Sequence, residues 1–127
     1  REKIAIRLNE QRPHHAPALN VCLQVRLDAH DTRPGVAPSD VAALAESVAS
    51  LPRLRLRGLM GMPTPESTPD QSGRAFARLA CLYRNLSEAG HELDTLSMGM
   101  SRDLEIAIEN GSTQLRVGTG IFGPRRQ

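Results

Sequence analysis

The feature that most constrains this chain is a rhythm. After one leading helix, four segments patterned as strands are each followed by a loop and then by a helical stripe. Strands that alternate with helices in this way run parallel, joined by right-handed crossovers, with the helices packed on the sheet. Leu19 to Leu27 is the first strand, because Val21, Leu23, Val25 and Leu27 alternate with Asn20, Cys22, Gln24 and Arg26, the period of two that a half-buried strand shows. Leu54 to Met62 is the second. It alternates Leu54, Leu56 and Gly58 with arginines and then turns continuously apolar. Arg53, Arg55 and Arg57 read as the outward or solvated side of that strand. Asp94 to Met98 is the third strand and Thr113 to Val117 the fourth.

The helices carry their own signals. Residues 1 to 11 place Ile4, Ala5 and Leu8 on one face until Pro13 stops them. Ser39 is expected to cap a helix whose apolar stripe is Val41, Leu44, Ala45, Val48 and Leu51, ended by Pro52. Thr68-Pro69-Asp70-Gln71 is a capping-box pattern with proline at the first helical position. It opens a helix to about Ala89 with Phe76, Leu79, Ala80, Tyr83 and Leu86 inward, and Gly90 follows as the natural stop. Arg102 to Asn110 is the next helix, with Leu104, Ala107 and Ile108 expected inward. Gly118-Thr119-Gly120 opens a last short turn or helix. Two α/β architectures fit: a doubly wound open sheet, or part of a (β/α)₈ barrel. A complete barrel needs about 250 residues, so a chain of 127 residues in four units is about half of one.

Composition removes several classes. A hydrophobic share of 39% excludes a disordered tail. The apolar run from Val41 to Val48 is broken by Glu46 and is too short to span a membrane. Lys3 is the sole lysine beside fifteen arginines. The arginines are scattered and nearly balanced by acids, so they read as codon bias rather than a nucleic-acid site. Cys22 and Cys81 sit inside apolar patterns and read as buried thiols of a reducing compartment. With no visible signal segment, the expected location is cytoplasmic. Arg1 falls in the middle of an amphipathic pattern, so the chain reads as the back part of something longer.

In either architecture ligands bind at the C-terminal ends of the strands. There the sequence offers Gly61-Met62-Pro63, Ser97-Met98-Gly99-Met100-Ser101 and Arg116-Val117-Gly118-Thr119-Gly120. Small residues let backbone N–H groups approach an anion, Ser101 and Thr119 add hydroxyls, and each cluster precedes a helix start. If these are the last two strands of a barrel, they mark the usual barrel phosphate site. Taken alone, Gly118-Thr119-Gly120 reads as a tight turn and Ser101 as an ordinary helix cap; the two adjacent loops together favour an anion site. Arg116 either points outward or reaches the ring or acid of a ligand. The four histidines lack zinc spacing, no nucleophile triad is legible, and Asp28 and Asp31 read as a solvated loop.

Taken together, Leu54 to Pro63, Asp94 to Ser101, Ala107 to Thr113 and Arg116 to Gly123, with Leu19 to Val25, closely resemble the YggS/PROSC family of pyridoxal phosphate homeostasis proteins over essentially the whole chain. The resemblance implies the C-terminal half, strands 5 to 8, of a (β/α)₈ barrel of the alanine racemase N-terminal type. It implies a binder of pyridoxal 5′-phosphate that carries or regulates the cofactor without established turnover. In that pattern Ser101, Gly118 and Thr119 hold the phosphate and Arg116 faces the pyridine nitrogen, keeping it unprotonated and the ring a weak electron sink.

The family's Schiff-base lysine lies on an early strand, before the region that matches here, and Lys3 falls in a helix and cannot replace it. Where the family usually has asparagine and lysine, this chain has Arg26 and Arg33. The complete protein is expected to be a monomer. A half barrel alone exposes two sheet edges and is expected to self-associate. An amino-acid racemase would continue into a β-domain with a tyrosine base, and a cofactor-free remnant is the third alternative.

Overall fold

The computed structural model describes residues 1–126. Helix α1 (Glu2–Gln11) leads into strand β1 (Leu19–Val25), α2 (Val41–Ala49), β2 (Leu54–Gly61), α3 (Pro69–Glu88), β3 (Thr95–Met100), α4 (Leu104–Glu109), β4 (Gln114–Arg116) and α5 (Thr119–Phe122). The four strands form one sheet in the order β1-β2-β3-β4, and every neighbouring pair is parallel. A doubly wound sheet reverses its strand order at a switch point. This sheet advances in one direction without reversal, as consecutive barrel strands do. The helices agree: α1 packs on α2, α2 on α3 and α3 on α4, giving one continuous layer over one face.

That layer holds the core. Phe76, Leu79, Leu59, Met98, Val41 and Val48 are the largest fully buried side chains. In β1, buried Leu23 and Val25 alternate with exposed Asn20 and Cys22, so the even positions take the face without helices. Gly58 and Gly99 are required by close approach. A Cβ at Gly58 would lie 1.6 Å from the Thr95 carbonyl oxygen, and one at Gly99 would lie 2.6 Å from the Ala107 Cβ. Gly99 also has φ +100°, which side-chain-bearing residues rarely adopt.

The capping box at α3 forms as expected. The Gln71 N–H donates to Thr68 Oγ1 at 3.3 Å and the Thr68 N–H donates to Gln71 Oε1 at 2.8 Å. Four expectations are corrected. Ser39 does not cap α2: residues Pro38–Asp40 form a 3₁₀ turn, and Asp40 holds the cap position without a side-chain bond. Ile108 is 53% exposed, and Ile106 packs on the core instead, because the face centred on buried Asp103 and Ala107 carries Ile106 and turns Ile108 outward. Cys22 and Cys81 are both exposed. Cys22 lies on the uncovered sheet face, and Cys81 lies off the stripe of α3 that buries Ser72, Ala75, Phe76, Leu79 and Leu86. Partial desolvation, then the Asp94 carboxylate, push the Cys22 thiol pKa up, so it stays protonated at neutral pH and is a poor nucleophile.

At the N-terminal end of the sheet, Arg57 pairs with Asp94 through two charge-assisted hydrogen bonds. The hydrogen bonds from Arg57, then from Thr95, hold the Asp94 carboxyl down to about 2. At the two flanks the packing stays open. Ile4, Ile6 and Leu8 of α1 are at least 40% exposed, as are Ile121 and Phe122 of α5. A cleft of about 420 Å³ between α1, β1 and α2 is lined by Ile4, Ala5, Leu8, Val21, Leu44 and Val48 among others. No helix among the described residues is long and apolar enough to cross a membrane.

Candidate functional site

The C-terminal ends of β3 and β4 bring together two loops that the sequence separates. Ser101 follows β3 in a tight turn held by Asp103. The carboxylate of Asp103 accepts the Met100 N–H at 2.8 Å, and the Asp103 N–H donates to the Met100 carbonyl at 3.1 Å. Asp103 is 6% exposed, so this is a buried brace and not a surface contact. The turn aims the Ser101 hydroxyl at the start of α5, where Oγ accepts the Gly120 N–H at 2.9 Å. Gly120 leaves room for this: a Cβ there would lie 3.1 Å from Ser101 Oγ.

Three of the four expected site residues therefore converge. Gly118 caps α5, Thr119 is its first residue, and Ser101 meets it from the side. The first N–H groups of a helix have no i−4 partner within it; in α5 the Gly120 N–H is taken by Ser101 Oγ and the Ile121 N–H by the Gly118 carbonyl, which leaves that of Thr119 as a donor. Around Gly118 an added Cβ would meet nothing within 4 Å, so this is an open cradle. The Ser101 hydroxyl accepts from Gly120 and keeps its own proton to donate, and the Thr119 hydroxyl is exposed beside it. A cradle of hydroxyl and backbone donors with no side chain filling it fits a phosphate group.

Arg116 stands apart from this cluster. It ends β4 and sends Nη2 to 3.6 Å from the Met60 sulfur on β2. It thus lies across the helix-free face of the sheet, where Gln24, Met60 and Ser97 stand in register. Its outward alternative, toward the helix layer, is not taken. A permanently charged planar donor is thereby held over the open face of the sheet.

Sequence reasoning missed two residues at this rim. Asp103 was visible only as the acid three places after Met100, a spacing that local backbone capping favours. Asp31, read as part of a solvated loop, is in fact enclosed: its side chain is 7% exposed and paired with Arg33 at 2.7 Å. The Arg33 hydrogen bonds lower its pKa. No group of three metal-ligating side chains occurs among the described residues. A polar recess beside Arg74 and Arg78 lies at the same end, but none of Ser101, Arg116, Gly118 or Thr119 lines it.

The model of the alanine racemase N-terminal domain matches residues 1–126. The chain belongs to the alanine racemase N-terminal domain family. It is 54% identical over 125 residues to the pyridoxal phosphate homeostasis protein of Pseudomonas aeruginosa and 45% identical over 125 residues to that of Escherichia coli. Each match covers 98% of this chain and 53% of the relative, so the chain spans about half the length of these relatives. Among solved structures it is similar to PipY of Synechococcus elongatus with PLP bound. The TM-score is 0.74 at 30% identity, over 96% of this chain and 54% of that one. The four parallel units are thus part of an alanine-racemase-type barrel, and the two curated relatives named here are pyridoxal phosphate homeostasis proteins.

Proposed function

We propose that this chain supplies the phosphate-holding half of a pyridoxal 5′-phosphate binding barrel that serves intracellular homeostasis of the cofactor without turning substrate over. The observation that carries the reading is the bond from the Gly120 N–H to Ser101 Oγ, which joins the last two strand-end loops into one cluster of donors. In this reading Ser101, Gly118 and Thr119 hold the phosphate through two hydroxyls and the Thr119 N–H at the opening of α5, with Gly118 leaving room for it. Arg116 faces the pyridine nitrogen from the helix-free face.

Pyridoxal phosphate, when bound, supplies a reactive aldehyde on an electron-withdrawing ring. Arg116 limits that withdrawal. A guanidinium is a donor that does not lose its proton in proteins, so the nitrogen opposite it acts as acceptor and stays unprotonated. That choice suits carriage of the cofactor more than catalysis on it. The lysine that anchors the aldehyde lies outside these residues in this reading, since Lys3 is on α1 in the helix layer. A few hydrogen bonds without an enclosing pocket supply only a few kcal/mol, so the chain alone binds at roughly millimolar strength. The open sheet edges make the chain self-associate when it stands alone, and the place of work is the cytoplasm.

The test is a pyridoxal phosphate titration of the 127-residue chain, then borohydride reduction and peptide mass mapping. It is repeated with the preceding segment of the Pseudomonas aeruginosa relative added in trans. The reading expects weak binding competed by inorganic phosphate, no stable adduct on the chain alone, and tight binding with an adduct on the added segment. A stoichiometric adduct at Lys3 contradicts it.

A further inference from the structure

The β1–α2 loop is fastened at both ends by unlike means. At its far end Val36 pairs with the outer edge of β1. The Val36 N–H donates to the Gln24 carbonyl at 2.8 Å and the Arg26 N–H donates to the Val36 carbonyl at 2.9 Å. Gly35 permits this approach, since a Cβ there would lie 2.8 Å from Arg26 Cγ. Toward its near end two arginines fasten it: Arg78 Nη2 donates to the Leu27 carbonyl at 2.8 Å, and Arg33 holds the stretch beyond. The Arg33 backbone N–H and Nε each donate to Asp31 Oδ1 at 2.9 Å, and Nη2 donates to Oδ2 at 2.7 Å. The same Nη2 donates to the Met62 carbonyl at 3.1 Å and to the Pro63 carbonyl at 3.0 Å. Those carbonyls lie just beyond the end of β2, where the ladder stops and offers them no further partner. The Asp31 carboxylate is nearly enclosed and the Arg33 side chain two-thirds covered, so this is not one of the solvated surface pairs that contribute little.

We infer that Arg33 is a positioning residue of the cofactor rim, which clasps the β1–α2 loop to the end of β2 and so fixes the wall on which Arg116 rests. The link is short. Met62 and Pro63 follow Met60 by two and three residues, and Met60 carries the sulfur that Arg116 approaches. With the clasp in place, Arg116 has a fixed neighbour and a fixed height over the open face. Without it, the Met62 and Pro63 carbonyls lose their donor, and the end of β2 keeps only its ladder pairs, Met60 with Gln24 and Ser97 and Gly61 with Val25. The planar guanidinium matters because it serves the carboxylate through one edge while one nitrogen also serves both carbonyls. A lysine at this position brings a single nitrogen without the fork.

The inference rests on the pyridoxal phosphate reading for its ligand, and the experiment separates the two. Hydrogen exchange of residues 26–37 and the pyridoxal phosphate affinity are measured side by side for the wild-type chain, R33M, R33K and D31N. T68A serves as a destabilised control remote from the rim. Loss of a charge-assisted clasp predicts amides of residues 28–35 exchanging about tenfold faster in R33M. It also predicts a dissociation constant raised about three- to tenfold, R33K intermediate in both, and T68A unchanged in affinity. Faster loop exchange in R33M with affinity within twofold of wild type overturns the positioning role. Unchanged loop exchange overturns the clasp itself. Wild-type chain that fails to bind pyridoxal phosphate sinks the ligand reading instead, while the exchange comparison still decides the clasp.

Discussion

In the β2–α3 unit, Leu59, Phe76 and Leu79 have no exposed surface, whereas the β4–α5 unit contains no buried residue and leaves Phe122 85% exposed. The order is the same, a parallel strand followed by a helix, but the neighbourhood differs. α3 is 20 residues long, closed by a capping box, and packed between α2 and α4. α5 is four residues long, and β4 has a strand on one side only. The lesson is a division of labour. The middle of the sheet holds the fold together by burial, and the end of it presents hydroxyls, a backbone N–H and one arginine. Residues chosen to present donors are the ones that cannot also bury surface, so the candidate site sits where the structure stabilises itself least.

The largest effect that would sharpen this contrast is loss of the central packing. Phe76→Ala is expected to cost about 3–5 kcal/mol, enough to unfold most of the chain, as read by denaturant midpoint. The matching change at the far end, Ser101→Ala, is expected to leave the midpoint within about 0.5 kcal/mol. It should raise the pyridoxal phosphate dissociation constant about tenfold, the loss of one charge-assisted bond. If the two substitutions weaken stability equally, the division of labour is wrong.

A smaller effect is expected at the α3 cap. Thr68→Ala removes the acceptor for the Gln71 N–H and should cost about 1 kcal/mol, with no change in binding. The fourth expectation concerns pH. Arg57 holds the folded Asp94 pKa down to about 2, below the usual value of about 3.9. The stabilisation is therefore complete above about pH 4 and is lost as pH falls toward the folded value. Urea midpoints measured across that range should fall less steeply in Asp94→Asn. The smallest effect is at α5, where Phe122→Ser should leave stability unchanged and reduce self-association in sedimentation, because the ring touches no core in the folded chain.

Much of this arrangement was legible in the sequence. The period of two in Leu19 to Val25, the capping box at Thr68 and the small-residue loops after β3 and β4 gave the strands, the long helix and the rim. What escaped had particular causes. Cys22 looked like a core residue because its neighbours are apolar, yet it occupies the even-numbered face, which no helix covers. Ile108 and Ile106 flank Ala107 and both fit an inward stripe, until the burial of Asp103 one turn earlier turns the face toward Ile106. Asp31 and Arg33 are two places apart in a polar loop, a pattern indistinguishable from a solvated pair. What the sequence could not show is that Arg33 also reaches the Met62 and Pro63 carbonyls beyond β2 while it holds the carboxylate. Asp103 was hidden in the same way, since its partner is a backbone N–H and leaves no trace in composition. Arg116 could be placed on either face by its strand period alone, and the sulfur of Met60 decides between them.

The central claim is that Ser101 and the opening of α5 form one phosphate cradle. The most direct test is a titration of the ¹⁵N-labelled chain with pyridoxal phosphate, followed amide by amide. The account predicts that Gly118, Thr119 and Gly120 shift together along one saturating curve, that inorganic phosphate reverses them, and that Ser101→Ala weakens all three alike. Shifts confined to other parts of the chain, or a response that inorganic phosphate leaves untouched, would contradict it.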